Sequence, residues 1–326
     1  MKGFKVEYIV LDLEWNQSPN GKQGEHPRMP FEIIEIGAVK LDEKMNKVDE
    51  FGALIKPKLY KKLHKQIRNM LSYDEKVLDE KGRSFPVVCK EFIEWCGDDY
   101  AFCTWGPSDL YFLQENMAFY NMKKLPFPLK FYNVQQIYAD EFIEDKVVCK
   151  LEKAVVDMNI PEDIPYHAAI NDARYTARVM AVKKFPKLGD RYSIDTYRHP
   201  VKKDEEILSY HDGYLEQISG EYGSKQEAME DKDITTILCC KCGRKCTKKI
   251  RWFQSGPNTE LAVGKCWKHG YMQGRIKFKS TGGSDDNVYV IKKVTKTNKA
   301  GLMEVGLKQE MIREKRREKR QSSDDK

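Results

Sequence analysis

The first half of the chain alternates short apolar runs with polar turns, a pattern that is typical of β-strands. An apolar run over residues 6–11 ends at Asp12, and residues 31–41 and 47–55 show the period-two alternation of two further strands. A short strand is also predicted over residues 100–104. These segments predict a sheet whose first strand ends in acidic residues.

Helical periodicity appears between and after these strands. Apolar residues spaced three and four apart predict helices that begin after Ser84 and near Ser108, and further helices over residues 151–158 and 169–184. Ser84 is an N-cap candidate because a proline follows it within the first turn. Strands that come first and then alternate with helices predict an α/β fold, in which helices flank the sheet.

The rest of the chain is predicted to form three smaller parts after an α/β domain that spans residues 1–190. Residues 191–234 are charged, with interspersed tyrosine and glycine, and are interpreted as a linker with a helix over residues 204–215. Residues 235–295 are predicted to form a small β domain, and residues 296–326 a charged tail.

Positive charge is concentrated in one segment of this 326-residue chain, whose net charge is +7. Residues 239–279 contain eleven lysines and arginines and one acid, Glu260. Eleven positive charges against one negative leave +10, which means that the rest of the chain carries −3. A local basic block of this kind predicts a polyanionic partner such as nucleic acid. No run of 18 apolar residues occurs, so no membrane span is predicted.

The cysteines are also unevenly distributed. Five of the nine crowd into one stretch, namely Cys239, Cys240, Cys242, Cys246 and Cys266. A secreted disulfide framework would spread them more evenly, so the pattern favours a metal site in a reducing compartment, here predicted to be the cytoplasm.

Three acidic motifs follow one another in a demanding order. Asp12 and Glu14 lie two apart at a strand end, so their side chains share one face of the strand. Asp109 opens a helix after a Gly-Pro turn, and His167 precedes Asp172 by five positions on a late helix. Each motif alone has a plain structural reading, as surface acids, as a favourable charge at a helix N-terminus or as a structural histidine. Together they predict a carboxylate cluster that suits Mg²⁺ or Mn²⁺.

At these motifs the chain resembles the DEDDh 3′–5′ exonucleases of the RNase T-like superfamily, and within it most closely the enhanced-RNAi exonucleases and the bacterial KapD-like proteins. The resemblance covers residues 5–186 and is carried by residues 11–14 (LDLE), 105–110 (WGPSDL) and 167–173 (HAAINDA). It implies a ribonuclease H-like fold, a mixed sheet flanked by helices.

The resemblance also implies a chemistry. Four carboxylates, Asp12, Glu14, Asp109 and Asp172, would hold two Mg²⁺ or Mn²⁺ ions about 4 Å apart, and His167 would act as the general base. The expected reaction is hydrolysis at the 3′ ends of single-stranded RNA or DNA, with release of nucleoside 5′-monophosphates. The residue between the first two acids, Leu13, is expected to contact the terminal nucleotide.

Two other functions remain open at this point. A DNA-directed proofreading or repair exonuclease would use the same residues, and a non-catalytic nucleic-acid-binding protein could keep the fold. The presence of all five active-site residues argues against the second of these. The sequence indicates no particular protein partner.

The cysteine-rich stretch contains two short matching motifs. Cys239 and Cys242 precede a glycine, as do Cys266 and His269, and glycine permits the tight turn that directs both ligands onto one metal. These four residues predict one structural Zn²⁺ in a zinc-ribbon-like domain, although Cys240 or Cys246 could replace one of them. A segment of this size is expected to bury little core, so that metal binding supplies its folding free energy.

Aromatic residues alternate with basic residues in the same segment, which is typical of proteins that bind single strands. Trp252, Lys249 and Arg251 are therefore candidate substrate-binding residues, while some of the aromatic residues are expected to form the core of the domain.

Overall fold

The computed structural model describes residues 7–211, 213–282 and 286–324, with the backbone alone for residues 318–324. The chain divides into two compact units, Met1–Arg198 and His199–Lys326. Within the described residues, no helix combines the length and the apolar character that crossing a membrane requires.

The first unit contains a six-stranded mixed sheet. Its strands are β1 (Glu7–Gln17), β2 (Phe31–Leu41), β3 (Lys47–Leu54), β4 (Tyr100–Thr104), β5 (Lys130–Asn133) and β6 (Ser193–Ile194). The strand order is β3-β2-β1-β4-β5-β6, with β1 antiparallel to β2 and parallel to β4. The carboxyl ends of β1 and β4 therefore meet at one edge of the sheet.

Seven helices accompany this sheet in the described part of the unit. They are α1 (Lys65–Met70), α2 (Glu75–Lys81), α3 (Phe85–Cys96), α4 (Ser108–Phe119), α5 (Val134–Phe142), α6 (Leu151–Asp157) and α7 (Ala169–Ala181). Alternate residues of β1 enter two separate hydrophobic clusters. Ile9, Leu11 and Leu13 pack with residues of α3 and α4, whereas Val10 packs with residues of α5 and α7. The mixed sheet flanked by helices confirms the predicted fold class.

The second unit is built on an antiparallel six-stranded sheet with the strand order β7-β8-β12-β11-β10-β9. Its elements are β7 (Ile207–Tyr210), β8 (Tyr214–Tyr222), α8 (Lys225–Glu230), α9 (Lys232–Thr235), β9 (Thr247–Gly256), β10 (Thr259–Cys266), β11 (Gly270–Ser280), β12 (Val288–Lys296) and α10 (Lys299–Asp324). Strands β9 and β10 lie between the two cysteine motifs, and β11 follows the second motif.

The predicted helix over residues 204–215 is wrong. A 3₁₀ turn at Lys203–Glu205 is followed by β7 and β8, and β8 pairs with β12 in the middle of the sheet. Leu215 and Ile218 are buried in that sheet, and the charged neighbours that suggested a helical linker lie beside them. Much of the segment interpreted as a linker is therefore part of a folded sheet.

The second unit also buries more core than the sequence suggested. Leu215, Val290 and Val294 of β8 and β12 join residues of the cysteine-rich segment in two hydrophobic clusters. Lys292 of β12 is fully buried, and its Nζ donates to the carbonyl oxygens of residues 233, 234 and 236 at 2.8, 3.0 and 3.1 Å. The strands outside the cysteine-rich segment thus supply core that a ribbon alone would lack. The predicted segment boundaries, after residues 190, 234 and 295, remain predictions.

Candidate active site and cysteine cluster

The first two acids project from the carboxyl end of β1. Asp12 and Glu14 have the same parity as Val10, so they lie on the face of the sheet that packs against α7. On the neighbouring strand β2, Gly37 is paired with Asp12 and Glu35 with Glu14. The register shifts immediately after Glu14, which ends the regular pairing at the acids.

Asp109 is brought to the same place by the parallel strand β4. It lies in the first turn of α4, is 6% exposed, and its Oδ1 accepts a hydrogen bond of 3.1 Å from the backbone N–H of Leu13. This bond fastens Asp109 to the backbone between Asp12 and Glu14. The helix-opening acid is therefore tied to the end of β1.

The third motif approaches from α7. His167 precedes the helix with a φ of 63°, and its backbone N–H donates to Asp172 Oδ2 at 3.3 Å. One potential ligand atom from each of Glu14, His167 and Asp172 lies within 4.8 Å of the others. The left-handed backbone at His167 is rare for a side chain of this size, and such conformations cluster at functional sites.

Glu35 is a residue of this site that the motifs did not identify. It accepts hydrogen bonds from the backbone N–H groups of Ala169 and Ile170 at the start of α7, and Tyr73 Oη donates to its Oε2 at 2.7 Å. A buried acid in the middle of an apolar strand was the available signal, since residues 31–41 are otherwise largely hydrophobic. Glu35 thus links the strand beside Glu14 to the helix that carries Asp172.

Gly37 permits the close approach of these same elements. A Cβ on Gly37 would lie 2.1 Å from the carbonyl carbon of Ala169 and 2.1 Å from the backbone nitrogen of Ile170. No side chain fits between β2 and the first turn of α7. The short separation allows Asp172 to reach the acids of β1.

Burial, and for Asp12 and Glu14 also the neighbouring negative charges, raises the pKa values of the acids in this cluster. Burial, followed by the negative charges of Asp109 and Asp172, raises the pKa of Asp12 well above its usual range. Burial and the charges of Asp172 and Glu35 raise the pKa of Glu14 to about 8, and burial raises that of Asp172 to about 6. Burial also raises the pKa of Asp109. The cluster therefore favours either protons or cations over its fully ionised form.

Divalent metal ions fit this donor set. The four carboxyl groups offer hard oxygen ligands, and Asp172 Oδ1 is buried without a hydrogen-bond partner among the described residues. An orphaned carboxylate oxygen within a cluster of like charges is costly unless a cation is bound. Asp12, Glu14, Asp109 and Asp172 could thus hold Mg²⁺ or Mn²⁺.

A separate cluster of thiol and imidazole groups occurs in the second unit. Cys239 Sγ lies 3.4 Å from His269 Nδ1, Cys266 Sγ lies 3.8 Å from the same nitrogen, and Cys242 and Cys266 have their sulfurs 3.8 Å apart. Ligand atoms around a tetrahedral zinc ion, with Zn–S bonds of about 2.3 Å, are separated by about 3.8 Å. The predicted set of four therefore has the spacing of a tetrahedral zinc site.

The competing cysteines point elsewhere. Cys240 Sγ lies 3.7 Å from Met272 Sδ and 3.6 Å from the carbonyl oxygen of Gly213, and Cys246 Sγ approaches the carbonyl oxygen of Arg244 at 4.0 Å. Gly243 and Gly270, which end the two motifs, have φ values of 68° and 83°. Both glycines are thus in the left-handed region that the tight turns require.

The predicted substrate-binding residues occupy different environments. Trp252 is half-buried, its Nε1 donates to the carbonyl oxygen of Thr235 at 2.8 Å, and its ring packs into the core of the second unit. Its ring therefore serves the core of the second unit, and contact between this ring and substrate remains a prediction. Lys249 and Arg251 are exposed on β9, and contact with substrate remains a prediction for both. Leu13 is 3% exposed and packs in the core, so its side chain does not line an open surface.

Comparison with known proteins identifies the family. Residues 9–180 match the RNase T family, described as exonuclease, and the match spans more than half of the chain. The chain therefore belongs to the RNase T exonuclease family. All five predicted active-site residues lie within the matched range.

The chain is also similar to individual known proteins. The probable 3′–5′ exonuclease KapD of Bacillus subtilis (strain 168) is 29% identical over 169 residues, which are 51% of this chain and 78% of KapD. The nuclease domain of 3′hExo, a DEDDh family member solved with bound rAMP, is 22% identical with a TM-score of 0.49, over 60% of this chain and 98% of that chain. S. pombe Pop2p, solved with Mg²⁺ and Mn²⁺, is 18% identical with a TM-score of 0.41, over 55% of this chain and 84% of that one. The family match together with the similarity to KapD identifies the chain as a 3′–5′ exonuclease that acts on nucleic acid.

Proposed function

We propose that this exonuclease removes nucleotides singly from the 3′ end of single-stranded RNA and releases nucleoside 5′-monophosphates with the help of two divalent metal ions. The observation that carries the proposal is the convergence of Asp109, His167 and Asp172 on the two acids at the end of β1. The choice of RNA rests on the motif resemblance to the enhanced-RNAi exonucleases. Single-stranded DNA is the second candidate substrate.

The four carboxylates would bind two Mg²⁺ or Mn²⁺ ions. Bound ions of this kind supply positive charge to the scissile phosphate and the departing 3′ oxygen and favour hydroxide formation from water. The backbone bond from Leu13 to Asp109 holds two of the motifs in register, so little rearrangement is needed when substrate arrives.

His167 would accept the proton of the attacking water. An imidazole can take up and release a proton near neutral pH, which suits it to general base catalysis. Its backbone is held at φ 63° and is anchored to Asp172 through the bond from its N–H. This anchoring leaves the ring free to act on a water molecule beside Glu14 and Asp172.

The second unit would hold one structural Zn²⁺ through Cys239, Cys242, Cys266 and His269 and would bind the nucleic acid strand. The distances among these four ligand atoms and the basic character of the segment support this part of the proposal. Reduced, metal-bound thiols are also expected of a cytoplasmic protein, which is the location we propose.

The test measures the hydrolysis of three substrates, each with and without Mg²⁺. They are 5′-labelled single strands of RNA and of DNA, each about 20 nucleotides long, and a dinucleotide. We expect stepwise, Mg²⁺-dependent shortening from the 3′ end, with RNA cleaved faster than DNA. DNA cleaved faster than RNA would overturn the proposed substrate. If none of the three substrates is shortened in a Mg²⁺-dependent manner, the proposed reaction is overturned.

Two variants separate metal binding from base catalysis. Asp12→Ala should abolish hydrolysis because it removes a ligand at the centre of the cluster. His167→Asn should lower kcat about 10²- to 10⁴-fold while Mg²⁺ binding persists, because asparagine tolerates the left-handed backbone at this position better than most residues. A His167→Asn enzyme with wild-type kcat would exclude His167 as the base.

A further inference from the structure

Trp267 is the most exposed large hydrophobic residue in the described part of the chain. Its side chain is 74% exposed, although tryptophan is normally among the more buried residue types. Trp252 of the same unit has a clear structural role, with its ring packed in the core and its Nε1 hydrogen-bonded. The exposure of Trp267 therefore calls for an explanation other than packing.

The position of Trp267 is fixed by its neighbours in the chain. It follows Cys266 and precedes His269 by two positions, so it lies between two members of the thiol and imidazole cluster. The motif closes where Gly270 adopts a φ of 83° and pairs with Cys266 across β10 and β11. Because the turn is held at both ends, the indole ring is presented by a short, constrained segment.

A basic side chain from the other cysteine motif reaches this ring. The guanidinium carbon of Arg244 lies 5.5 Å from the centre of the Trp267 ring, within the range of a cation–π contact. The carbonyl oxygen of Arg244 accepts a hydrogen bond of 2.8 Å from the backbone N–H of Cys239. Both motifs of the cluster thus contribute to one surface.

Further positive charge lies next to Trp267 in the sequence. Lys265 precedes the second motif and Lys268 lies within it, and the Nζ of Lys265 lies 5.5 Å from the ring centre of Tyr271. All eleven lysines and arginines between residues 239 and 279 are exposed. Apart from Lys241, none of them forms a salt bridge with an acid in the described part of the chain. We call Arg244, Lys265, Trp267 and Lys268 the knuckle face.

We propose that the knuckle face binds single-stranded nucleic acid, with an unpaired base stacked on Trp267 and the adjoining phosphates contacting Arg244 and Lys268. An exposed aromatic ring beside unpaired cations complements a base that is flanked by phosphates. A duplex keeps its bases stacked inside, so the occupant is a single strand. This inference rests on the proposed function and deepens it, because it assigns a binding surface distinct from the five active-site residues.

The experiment measures the affinity of the full-length chain in an Asp12→Ala background, so that cleavage does not interfere. Fluorescence anisotropy is recorded with a labelled single-stranded RNA, a DNA of the same sequence and an abasic DNA of equal length. Trp267→Ala should weaken binding of the two base-containing strands about tenfold or more. The abasic strand should be bound equally by the two proteins, because it has no base to stack.

Matched variants separate stacking from charge. Trp267→Phe should retain part of the affinity. Arg244→Gln should weaken binding of all three strands and reduce the dependence of affinity on salt. Met303→Ala, which alters another strongly exposed apolar residue of the same unit, should leave binding unchanged. Zinc content and Tm are measured for each variant to confirm that it is folded.

Three outcomes would overturn the proposal. The first is equal affinity of the folded Trp267→Ala and parent proteins for base-containing strands. The second is an equal loss of affinity for the abasic strand. The third is displacement of the strand by polyglutamate as readily as by unlabelled oligonucleotide, which would identify the knuckle face as a site for acidic protein. Hydrolysis of the dinucleotide by the wild-type enzyme tests the proposed reaction separately, so the two failures are distinguishable.

Discussion

Four carboxyl groups and one imidazole share a small volume at the end of β1, and the burial and like charge of the carboxyl groups have a measurable cost. In the metal-free protein, the pKa values of Asp172 and Glu14 are about 6 and about 8, above the usual carboxyl values of about 4. Between pH values of about 4 and about 8, the folded chain therefore retains protons on these carboxyl groups that the unfolded chain has released. As a result, the free energy of unfolding falls as the pH rises.

We predict that the Tm of the first unit falls as the pH is raised from about 5 to about 9 in buffer free of Mg²⁺ and Mn²⁺. Excess Mg²⁺ should remove most of this fall, since bound cations take the place of the protons. Differential scanning calorimetry measures both series. Glu14→Gln is the control, and its metal-free Tm should depend less on pH. A wild-type Tm that does not change with pH in the metal-free buffer would contradict the prediction.

At the residue level, the acids that carry the chemistry were predictable and those that support them were not. Asp12, Asp109 and His167 occur in ordered motifs, which the chain sequence displays directly. Glu35 acts through backbone N–H groups of a helix that is more than 130 positions away, and no local pattern encodes that partnership. Trp252 and Trp267 have similar basic neighbours in sequence, so only the fold distinguishes the half-buried ring from the exposed one.

Among the secondary-structure elements, the contact between β2 and α7 determines whether the third motif reaches the first. Gly37 lies in β2 against the backbone of Ala169 and Ile170, and Glu35 binds the N–H groups of the same two residues. The absence of a side chain at Gly37 and the carboxylate of Glu35 therefore act together at the N-terminus of α7. Both are needed to keep α7 close to the sheet.

We predict that Gly37→Ala lowers stability by about 1–3 kcal/mol and activity about 100-fold. The added methyl group would force α7 away from β2 and displace Asp172 from the acids of β1. Gly52→Ala is a matched control, because Gly52 pairs with Gly37 on β3 and its Cβ would meet Ile170 only at 3.7 Å. The measurements are Tm and kcat/KM. Equal behaviour of the two variants would show that the close approach is unimportant.

The elements themselves were predicted with uneven success, for a physical reason. Strands β2 and β4 are recognisable as apolar runs because both of their faces are buried, and helix α7 has clear apolar periodicity because one regular face packs on the sheet. Strand β7 has only four residues, and β8 mixes polar and charged residues with apolar ones and pairs with β12, which lies more than 60 positions later. Such pairing depends on distant partners, and a local pattern does not reveal it.

On the scale of the whole molecule, the chain contains two units with separate hydrophobic clusters and two groups of potential metal ligands that differ in chemistry. The first unit offers oxygen ligands and the second offers sulfur and imidazole ligands. Hard carboxylates favour Mg²⁺ or Mn²⁺, whereas thiolates favour Zn²⁺. The two sites are therefore expected to respond to different ions.

We predict two unfolding transitions that can be shifted separately. Cys239→Ser should reduce bound zinc to less than one ion per chain. It should also lower the temperature of one transition, because zinc binding contributes to the folding of its domain. Mg²⁺ should raise the temperature of the other transition only. Calorimetry together with metal analysis provides the measurement, and Cys89→Ser, at a buried cysteine outside the cluster, is the control for loss of a thiol. A single transition that both changes shift equally would contradict independent units.

The exposure of Trp267 has a spectroscopic consequence. All five tryptophans of the chain lie in the described residues, and the other four are at least partly shielded from solvent. Iodide in solution should therefore quench the emission of Trp267 preferentially, and this long-wavelength component should report on the second unit without any attached dye. The emission of the shielded tryptophans, most of which lie in the first unit, supplies an internal reference in the same sample.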